Sequence, residues 1–91
     1  MEKRKISDCA KLLKAMGNEK RLEILYHLYG SESCVGELEK KVELSQSALS
    51  QHLAVLRAAG IVKTRRNAQT IFYSIKCNKV LSVLDLLQKM S

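Results

Sequence analysis

The hydrophobic pattern along the first 30 residues is helical, because apolar side chains recur every three or four positions. One such stripe predicts a first helix from about residue 6 to residue 16: Ile6, Cys9, Leu13 and Met16. Asn18 follows a glycine and is a residue type that commonly caps the next helix. That second helix is expected to end near Gly30, and residues 31–33 are expected to form a short polar connection.

A short amphipathic helix, a tight turn and a longer helix are predicted next. The apolar stripe of the short helix is Val35, Leu38 and Val42. Ser45 is expected to cap the longer helix, which runs from Gln46 to Ala59. Its inner face carries leucines one and two turns apart: Leu49, Leu53 and Leu56. A pair of this kind is a helix-turn-helix, whose second helix enters the major groove of DNA.

The spacing of apolar residues is no longer helical after the longer helix, where β-branched and aromatic residues become frequent. Two short strands are predicted, Val62–Arg66 and Ile71–Ile75, with a tip at residues 67–69 between them. The last segment, Asn78–Met90, returns to helical spacing. The chain therefore predicts one domain, residues 1–91, that is mainly α with a small β-hairpin, in the order α-α-α-α-β-β-α.

The net charge of the chain narrows the choice of partners. The 91 residues carry a formal charge of +7, which favours a polyanion such as nucleic acid or an anionic membrane surface. No apolar run approaches the ~20 residues of a membrane span, and the first residues lack the apolar stretch of a secretory signal. Three cysteines at irregular spacing do not form a disulfide framework. We therefore expect a cytoplasmic protein with no membrane partner.

Polar and basic side chains of the longer helix and the hairpin match the needs of duplex DNA binding. The start of the helix offers hydrogen-bonding groups to base edges and phosphates: Gln46, Ser47, Ser50 and Gln51. The hairpin adds basic residues on its first strand and polar residues at its tip: Lys63, Arg65, Arg66, Gln69 and Thr70. Each feature alone also fits a solvated surface or a protected edge strand. Their combination on a basic chain favours double-stranded DNA as the partner, contacted by a recognition helix and a wing.

The chain resembles the ArsR/SmtB family of winged-helix repressors in three segments that cover nearly its whole length: LLKAMGNEKRLEILYHL, CVGELEKKVELSQSALSQHLAVLRAAGIV and TRRNAQTIFYSI. The resemblance implies a winged helix-turn-helix that forms a homodimer through its first and last helices. It implies repression by occupation of an operator, relieved when an inducer is sensed. It also places the DNA contacts on Ser45 to His52 and on the wing. His52 lies between the polar and apolar faces of its helix, where we expect a structural or phosphate-contacting role.

Sensor residues distinguish the inducers of this family, and the metal patterns are absent here. Arsenic sensors carry Cys-Val-Cys-x-x-Cys where this chain has Cys34–Glu39 with one cysteine, which is too few soft ligands. Zinc-type sensors place Asp and His residues on the last helix, which here has Asp85 and no histidine. We therefore expect no metal and no cofactor.

The HlyU/BigR/SqrR-like branch of thiol-based sulfide and redox regulators is a closer resemblance. It shares the LSQSALSQHL helix and a cysteine at the position of Cys34. Its partner cysteine lies at the very end of the last helix, where residues 88–91 of this chain contain none. Cys9 on the first helix is then the first candidate to partner Cys34, and Cys77 at the exit of the wing is a poorer one. The alternative is that all three cysteines are packing residues.

Two other classes of function compete with an operator-specific regulator. An enzyme is disfavoured, because the chain has no nucleotide-binding loop and no paired Cys/His arrangement. A non-specific architectural DNA-binding domain, or a protein-interaction domain without an inducer, would share the same elements. A preference of roughly 10³-fold for an operator over random DNA would distinguish the regulator from the architectural and the protein-interaction domain.

Overall fold

Five helices and three strands follow one another in the computed structural model, which describes all residues from Met1 to Ser91. The elements are α1 (Lys3–Met16), α2 (Glu19–Leu28), β1 (Ser33–Cys34), α3 (Val35–Val42), α4 (Gln46–Ala58), β2 (Val62–Asn67), β3 (Thr70–Ile75) and α5 (Asn78–Met90). The five helices and the β2–β3 hairpin confirm the elements expected from the sequence, with bounds that differ by up to three residues. None of the helices combines the length and the apolarity needed to cross a membrane.

Side chains and glycines fix the ends of the helices at the expected residues. The Asn18 side chain accepts hydrogen bonds from the backbone N–H groups of Lys20 at 3.0 Å and Arg21 at 3.1 Å, which caps α2. Ser45 Oγ accepts from the N–H of Ala48 at 3.2 Å and caps α4. Gly60 has a φ of 72° just after α4, a left-handed conformation that glycine adopts without steric cost.

The hydrophobic core lies where the inner faces of the helices meet β2. Its 14 buried residues form one cluster: Ala15, Met16, Ile24, Leu25, Leu28, Leu38, Val42, Leu49, Leu53, Leu56, Ile61, Val62, Val80 and Leu84. Leu49, Leu53 and Leu56 of α4 are 0%, 2% and 0% exposed. Burial of a leucine side chain contributes about 1.5–3 kcal/mol, so these three side chains fix the rotation of α4 and decide which face remains in solvent.

The connection before α3 corrects the sequence prediction. Residues 31–33 were expected to be a polar connection, but Ser33 and Cys34 form β1, which pairs antiparallel with Tyr73 and Phe72 of β3. The sheet therefore has three strands in the order β1-β3-β2. A strand of two residues is too short to show alternation, and its partner lies far along the chain, so no local pattern marks it.

The wing turn is also tighter than expected. β2 and β3 extend until Asn67 pairs with Thr70, which leaves Ala68 and Gln69 as a two-residue turn. Ala68 has a φ of 57°, a conformation that residues other than glycine rarely adopt. The sequence contains no Asn-Gly or Asp-Gly pair at this position, and such pairs are the usual signal for a turn of this length.

Helix α5 packs against the core through a buried apolar side and makes a polar contact with Tyr29, which directly follows α2. Val80 and Leu84 belong to the core, and the Tyr29 hydroxyl donates a hydrogen bond to Asp85 Oδ1 at 3.2 Å. Lys89 Nζ lies 3.0 Å from Asp85 Oδ2. Hydrogen bonds from Lys89 and then Tyr29 hold the pKa of Asp85 below its ordinary value. The last helix is thus oriented by contacts on one side, and its other side remains free.

Candidate nucleic-acid interface

The outer face of α4 presents the side chains that the sequence assigned to base recognition. Gln46, Ser47, Ser50 and Gln51 are all exposed, on the side of the helix opposite the buried leucines. None of the side-chain hydrogen bonds within the chain involves these four residues. Their donors and acceptors are therefore available to a partner, and the structure places all four on one accessible surface.

Ser45 differs from these four residues, because its side chain already has a structural task. Its Oγ accepts the capping hydrogen bond from Ala48. A serine hydroxyl has one donor in addition to its acceptor sites, so the Ser45 O–H can still donate to a phosphate while the cap is intact. The first N–H groups of α4 lie beside it, and the positive end of the helix favours an anion there.

His52 is half-buried and contacts the second helix. Its Nδ1 lies 3.4 Å from Nη1 of Arg21. A guanidinium can only donate, so Nδ1 is the acceptor in this contact. Arg21 Nε also donates to the carbonyl of Ala15 at 2.6 Å, so Arg21 of α2 contacts both the end of α1 and α4. His52 therefore has a structural contact through Nδ1, and its Nε2 makes no hydrogen bond within the chain.

The turn between α3 and α4 is fixed by its backbone and by a lysine from α2. Glu43 ends α3 in the left-handed region with a φ of 52°. Lys20 Nζ donates to the carbonyl of Val42 at 3.1 Å, which satisfies a carbonyl that the end of a helix leaves without a partner. The angle between the two helices of the pair thus depends on contacts from α2 as well as on the core.

The wing carries its basic residues on both faces. All five predicted wing residues are exposed: Lys63, Arg65, Arg66, Gln69 and Thr70. Arg65 is paired with Phe72 and Arg66 with Ile71 in the register of β2 and β3. Successive side chains of a strand point to opposite faces, so the two arginines lie on different sides of the hairpin.

Arg65 is the one predicted wing residue that has an ionic partner in the structure. Its Nε and Nη2 donate to the two carboxylate oxygens of Glu32, at 3.2 Å and 2.5 Å. Its guanidinium carbon lies 4.7 Å from the centre of the Phe72 ring, a cation–π distance. The hydrogen bond from Arg65 holds the pKa of Glu32 below its ordinary value. Sequence reasoning missed the roles of Glu32 and Phe72, because no local spacing connects residues so far apart.

Cys34 ends β1 and is the residue directly before α3. It is half-buried, and its backbone N–H donates to Oε1 of Glu37 at 3.2 Å. That hydrogen bond from the Cys34 backbone holds the pKa of Glu37 below its ordinary value.

The other two cysteines lie elsewhere. Cys9 and Cys77 are half-buried free thiols that line the same surface cavity, of about 390 Å³, and Cys34 is not among its lining residues. Cys34 pairs with Phe72 of β3. The chain then runs from Phe72 towards Cys77, and a strand advances about 3.3 Å per residue, so Cys77 lies several residues beyond the partner of Cys34. The pairing of Cys9 with Cys34 stays a prediction, and the structure brings Cys9 to the cavity of Cys77 instead. No group of three or more His, Cys, Asp or Glu side chains is arranged to hold a metal ion.

Large apolar side chains are exposed on the first and last helices. Ile6 and Leu13 of α1 are 53% and 55% exposed, and Leu86 and Met90 of α5 are 57% and 74% exposed. Contiguous exposed apolar surface on a small domain is typical of a contact with another molecule.

Comparison with known proteins places this geometry among bacterial regulators. Residues 18–64 match the family described as "Bacterial regulatory protein, arsR family". The chain is 54% identical over 79 residues to the transcriptional activator HlyU of Vibrio cholerae, covering 87% of this chain and 73% of the relative. It is 45% identical over 87 residues to the biofilm growth-associated repressor of Agrobacterium fabrum, covering 96% and 74%.

Solved structures give the same result for the fold. HlyU from Vibrio cholerae matches with a TM-score of 0.93 at 51% identity, over 99% of this chain and 97% of that one. A winged helix-turn-helix fragment of Mb0332 from Mycobacterium bovis, described as homodimeric and as a possible ArsR-family regulator, matches with a TM-score of 0.86 at 27% identity, over 99% and 86%. The predicted winged helix-turn-helix fold is thereby confirmed.

Proposed function

Since the chain belongs to the ArsR family of bacterial regulatory proteins, we propose that it is a sequence-specific repressor that binds an operator as a homodimer in the cytoplasm. Its family and its relatives are DNA-binding transcriptional regulators, and this protein is likewise a regulator and not an enzyme. The operator is expected to be an imperfect palindrome, because two copies related by a two-fold axis present two identical reading surfaces.

The observation that carries the proposal is the exposed polar face of α4. Gln46, Ser47, Ser50 and Gln51 are exposed without partners in the chain, and the leucines behind them are buried in the core. A glutamine amide can bond the N6 and N7 edge of adenine with both of its ends, and a serine hydroxyl can bond either a base or a phosphate. A rigid helix with such a face is suited to the major groove.

The apolar sides of α1 and α5 support a homodimer. Their exposed residues are the large hydrophobic groups that a lone domain leaves in water: Ile6, Leu13, Leu86, Leu87 and Met90. Burial of such surface against a second copy stabilises a dimer. Two recognition helices would then meet successive major grooves about 34 Å apart.

Thiol control at Cys34 is the regulatory part of the proposal. Cys34 caps α3, and α3 supports the recognition helix, so a modified thiol changes the entrance of the helix-turn-helix. Peroxide would oxidise the Cys34 thiol to a sulfenic acid and be reduced to water. The added oxygen lies beside the Glu37 carboxylate that holds the backbone of Cys34, and we expect the modified protein to bind its operator more weakly.

The test of operator binding begins with selection of bound fragments from the genome of the source organism. Fluorescence anisotropy then compares the selected duplex with a scrambled duplex of equal length. We expect roughly 10³-fold tighter binding to the operator and two chains per duplex in sedimentation. Equal affinity for both duplexes would instead support a non-specific architectural DNA-binding domain, and a stable monomer with and without DNA would refute the dimer.

The test of thiol control compares Cys34→Ser with Cys77→Ser as the matched control. Each reduced protein is treated with peroxide or with a persulfide donor, and adducts are located by mass spectrometry. We expect operator release by the parent and by Cys77→Ser but not by Cys34→Ser. A Cys34→Ser variant that responds as the parent does would make Cys34 a packing residue.

A further inference from the structure

We propose that Glu32 is a positioning residue for the wing, which holds the Arg65 guanidinium so that its remaining N–H groups can bind a DNA phosphate. Neither the sequence patterns nor the comparisons assign a role to Glu32. The inference rests on the proposed DNA binding and deepens it, because it names the residue that prepares one of the phosphate contacts.

The Glu32 carboxylate and the Arg65 guanidinium make a two-point contact. Nε meets Oε2 at 3.2 Å and Nη2 meets Oε1 at 2.5 Å. A bidentate pair of this kind fixes the plane of the guanidinium as well as its position. The two side chains are still 54% and 40% exposed, so a large partner can reach the guanidinium from the solvent side.

The guanidinium is also supported from below by the sheet. Its carbon lies 4.7 Å from the Phe72 ring centre, and Arg65 and Cys34 both pair with Phe72 in the strand register. Alternation therefore places these three side chains on one face of the sheet, in a single row across β2, β3 and β1. The Arg65 side chain crosses β3 to reach Glu32, which directly precedes β1. The pair thus fastens the wing strand β2 to the opposite edge of the sheet.

The guanidinium keeps donors for a phosphate after this contact. An arginine has five N–H donors, and the two bonds to Glu32 use one on Nε and one on Nη2. The two on Nη1 and the second one on Nη2 remain. An unsupported arginine loses side-chain freedom when it binds a phosphate, whereas Arg65 has already lost much of it in the free protein. Lys63 and Arg66 have no such partner and provide a comparison within the same strand.

The negative charge of Glu32 allows a test based on the direction in which DNA affinity changes when the charge is removed. A carboxylate near the DNA backbone repels phosphates, so its simple removal should strengthen binding. If Glu32 positions Arg65, its removal should weaken binding despite the more positive charge. The two effects predict opposite outcomes for the same variant.

The experiment compares Glu32→Gln, which keeps the size of the side chain, with Glu2→Gln, an exposed acid that makes no ion pair. Binding to operator and to random duplex is measured between about 50 and 200 mM salt. We expect Glu32→Gln to bind about threefold to tenfold more weakly than the parent. The slope of log affinity against log salt should fall by about one, which corresponds to the loss of one phosphate contact. We expect the same change for Arg65→Ala. Glu2→Gln should keep the slope of the parent.

Two further variants separate positioning from a general loss of structure. Arg65→Lys keeps the charge but cannot make the bidentate contact, and we expect it to lose affinity as Glu32→Gln does. Glu32→Gln added to Arg65→Ala should cause no further loss, because both changes remove one contact. Glu32→Gln added to Lys63→Ala should show the sum of the two losses.

Glu32→Gln binding as tightly as the parent, or more tightly, with an unchanged salt slope would overturn the proposal. That result would mean that Glu32 competes with phosphate for Arg65 or has no influence on it. Because phosphate contacts do not depend on sequence, the comparison can be read on random duplex as well. Absence of operator preference in the parent protein would therefore refute the specific repressor and leave the test of Glu32 intact.

Discussion

The recognition helix α4 contributes three almost fully buried leucines to the core, whereas no residue of the wing strand β3 is fully buried. The helix is fixed by apolar packing, which salt and pH affect little. The wing is fixed by strand pairing and by exposed contacts such as the Glu32–Arg65 pair, which salt screens. The helix proposed to read bases is therefore held more firmly than the wing proposed to meet the DNA backbone, and the two should respond differently to mutation and to solution conditions.

The largest difference should appear in stability. Leu53→Ala removes a buried side chain of α4 and should lower the free energy of unfolding by about 2–5 kcal/mol. Ile71→Ala in the half-buried part of β3 should cost roughly 1 kcal/mol, because less apolar surface is lost. Urea denaturation followed by circular dichroism measures both values. Similar losses at the two positions would show that the wing shares the core after all.

The second difference concerns the kind of DNA contact. Gln51→Ala should reduce discrimination at one base pair of each half-site by about 1–3 kcal/mol. Arg66→Ala should weaken binding to all sequences alike and lower the salt slope by about one. Anisotropy titrations against a set of single base-pair variants of the operator separate the two patterns. A uniform loss with Gln51→Ala would remove α4 from base readout.

A substitution in the wing turn should have a smaller effect and should stabilise the protein. Ala68 has a φ of 57°, a conformation that costs a non-glycine residue about 1–2 kcal/mol. Glycine removes this cost but loses more backbone freedom on folding. Ala68→Gly should therefore raise the free energy of unfolding by about 0.5–1 kcal/mol. Ala54→Gly on the exposed side of α4 is the matched control and should lower it by about 1 kcal/mol; a loss at both positions would mean that the turn is not strained.

The smallest expected effect is the pH dependence of the Glu32–Arg65 pair. Arg65 holds the pKa of Glu32 below its ordinary value of 4.5. A carboxyl with a depressed pKa contributes its full stabilisation above the ordinary value and loses it as the pH falls through the lower, folded value. The melting temperature of the parent should therefore fall below about pH 4.5 slightly more steeply than that of Glu32→Gln. Parallel curves for the two proteins would mean that the exposed pair adds nothing to stability.

The helices of this protein follow from its sequence, because each combines apolar periodicity with a recognisable end. Asn18 and Ser45 form the side-chain caps expected of them. The exposed polar face of α4 also follows, since the positions of its leucines decide which residues remain outside. These predictions depend on apolar side chains that recur every three or four residues, and in the structure those of α4 lie on the buried face of the helix.

Contacts between distant segments did not follow from the sequence. β1 has only two residues and depends on β3 for its existence. Arg65 was assigned to DNA as a free cation, and its contact with Glu32 needs the folded sheet to bring β2 and the residue before β1 together. Cys9 and Cys77 likewise line one cavity although they lie far apart along the chain. Single-sequence patterns contain no signal for any of these pairs.

The two residue pairs between β1 and β3 also order the events of folding. Ser33 meets Tyr73 and Cys34 meets Phe72, so the pairing closes a long loop that contains both helices of the DNA-reading motif. The β2–β3 hairpin is local and can form within roughly 1–10 μs, whereas β1 can join only after α3 and α4 have packed and brought the chain back. We therefore expect the sheet to be completed late in folding.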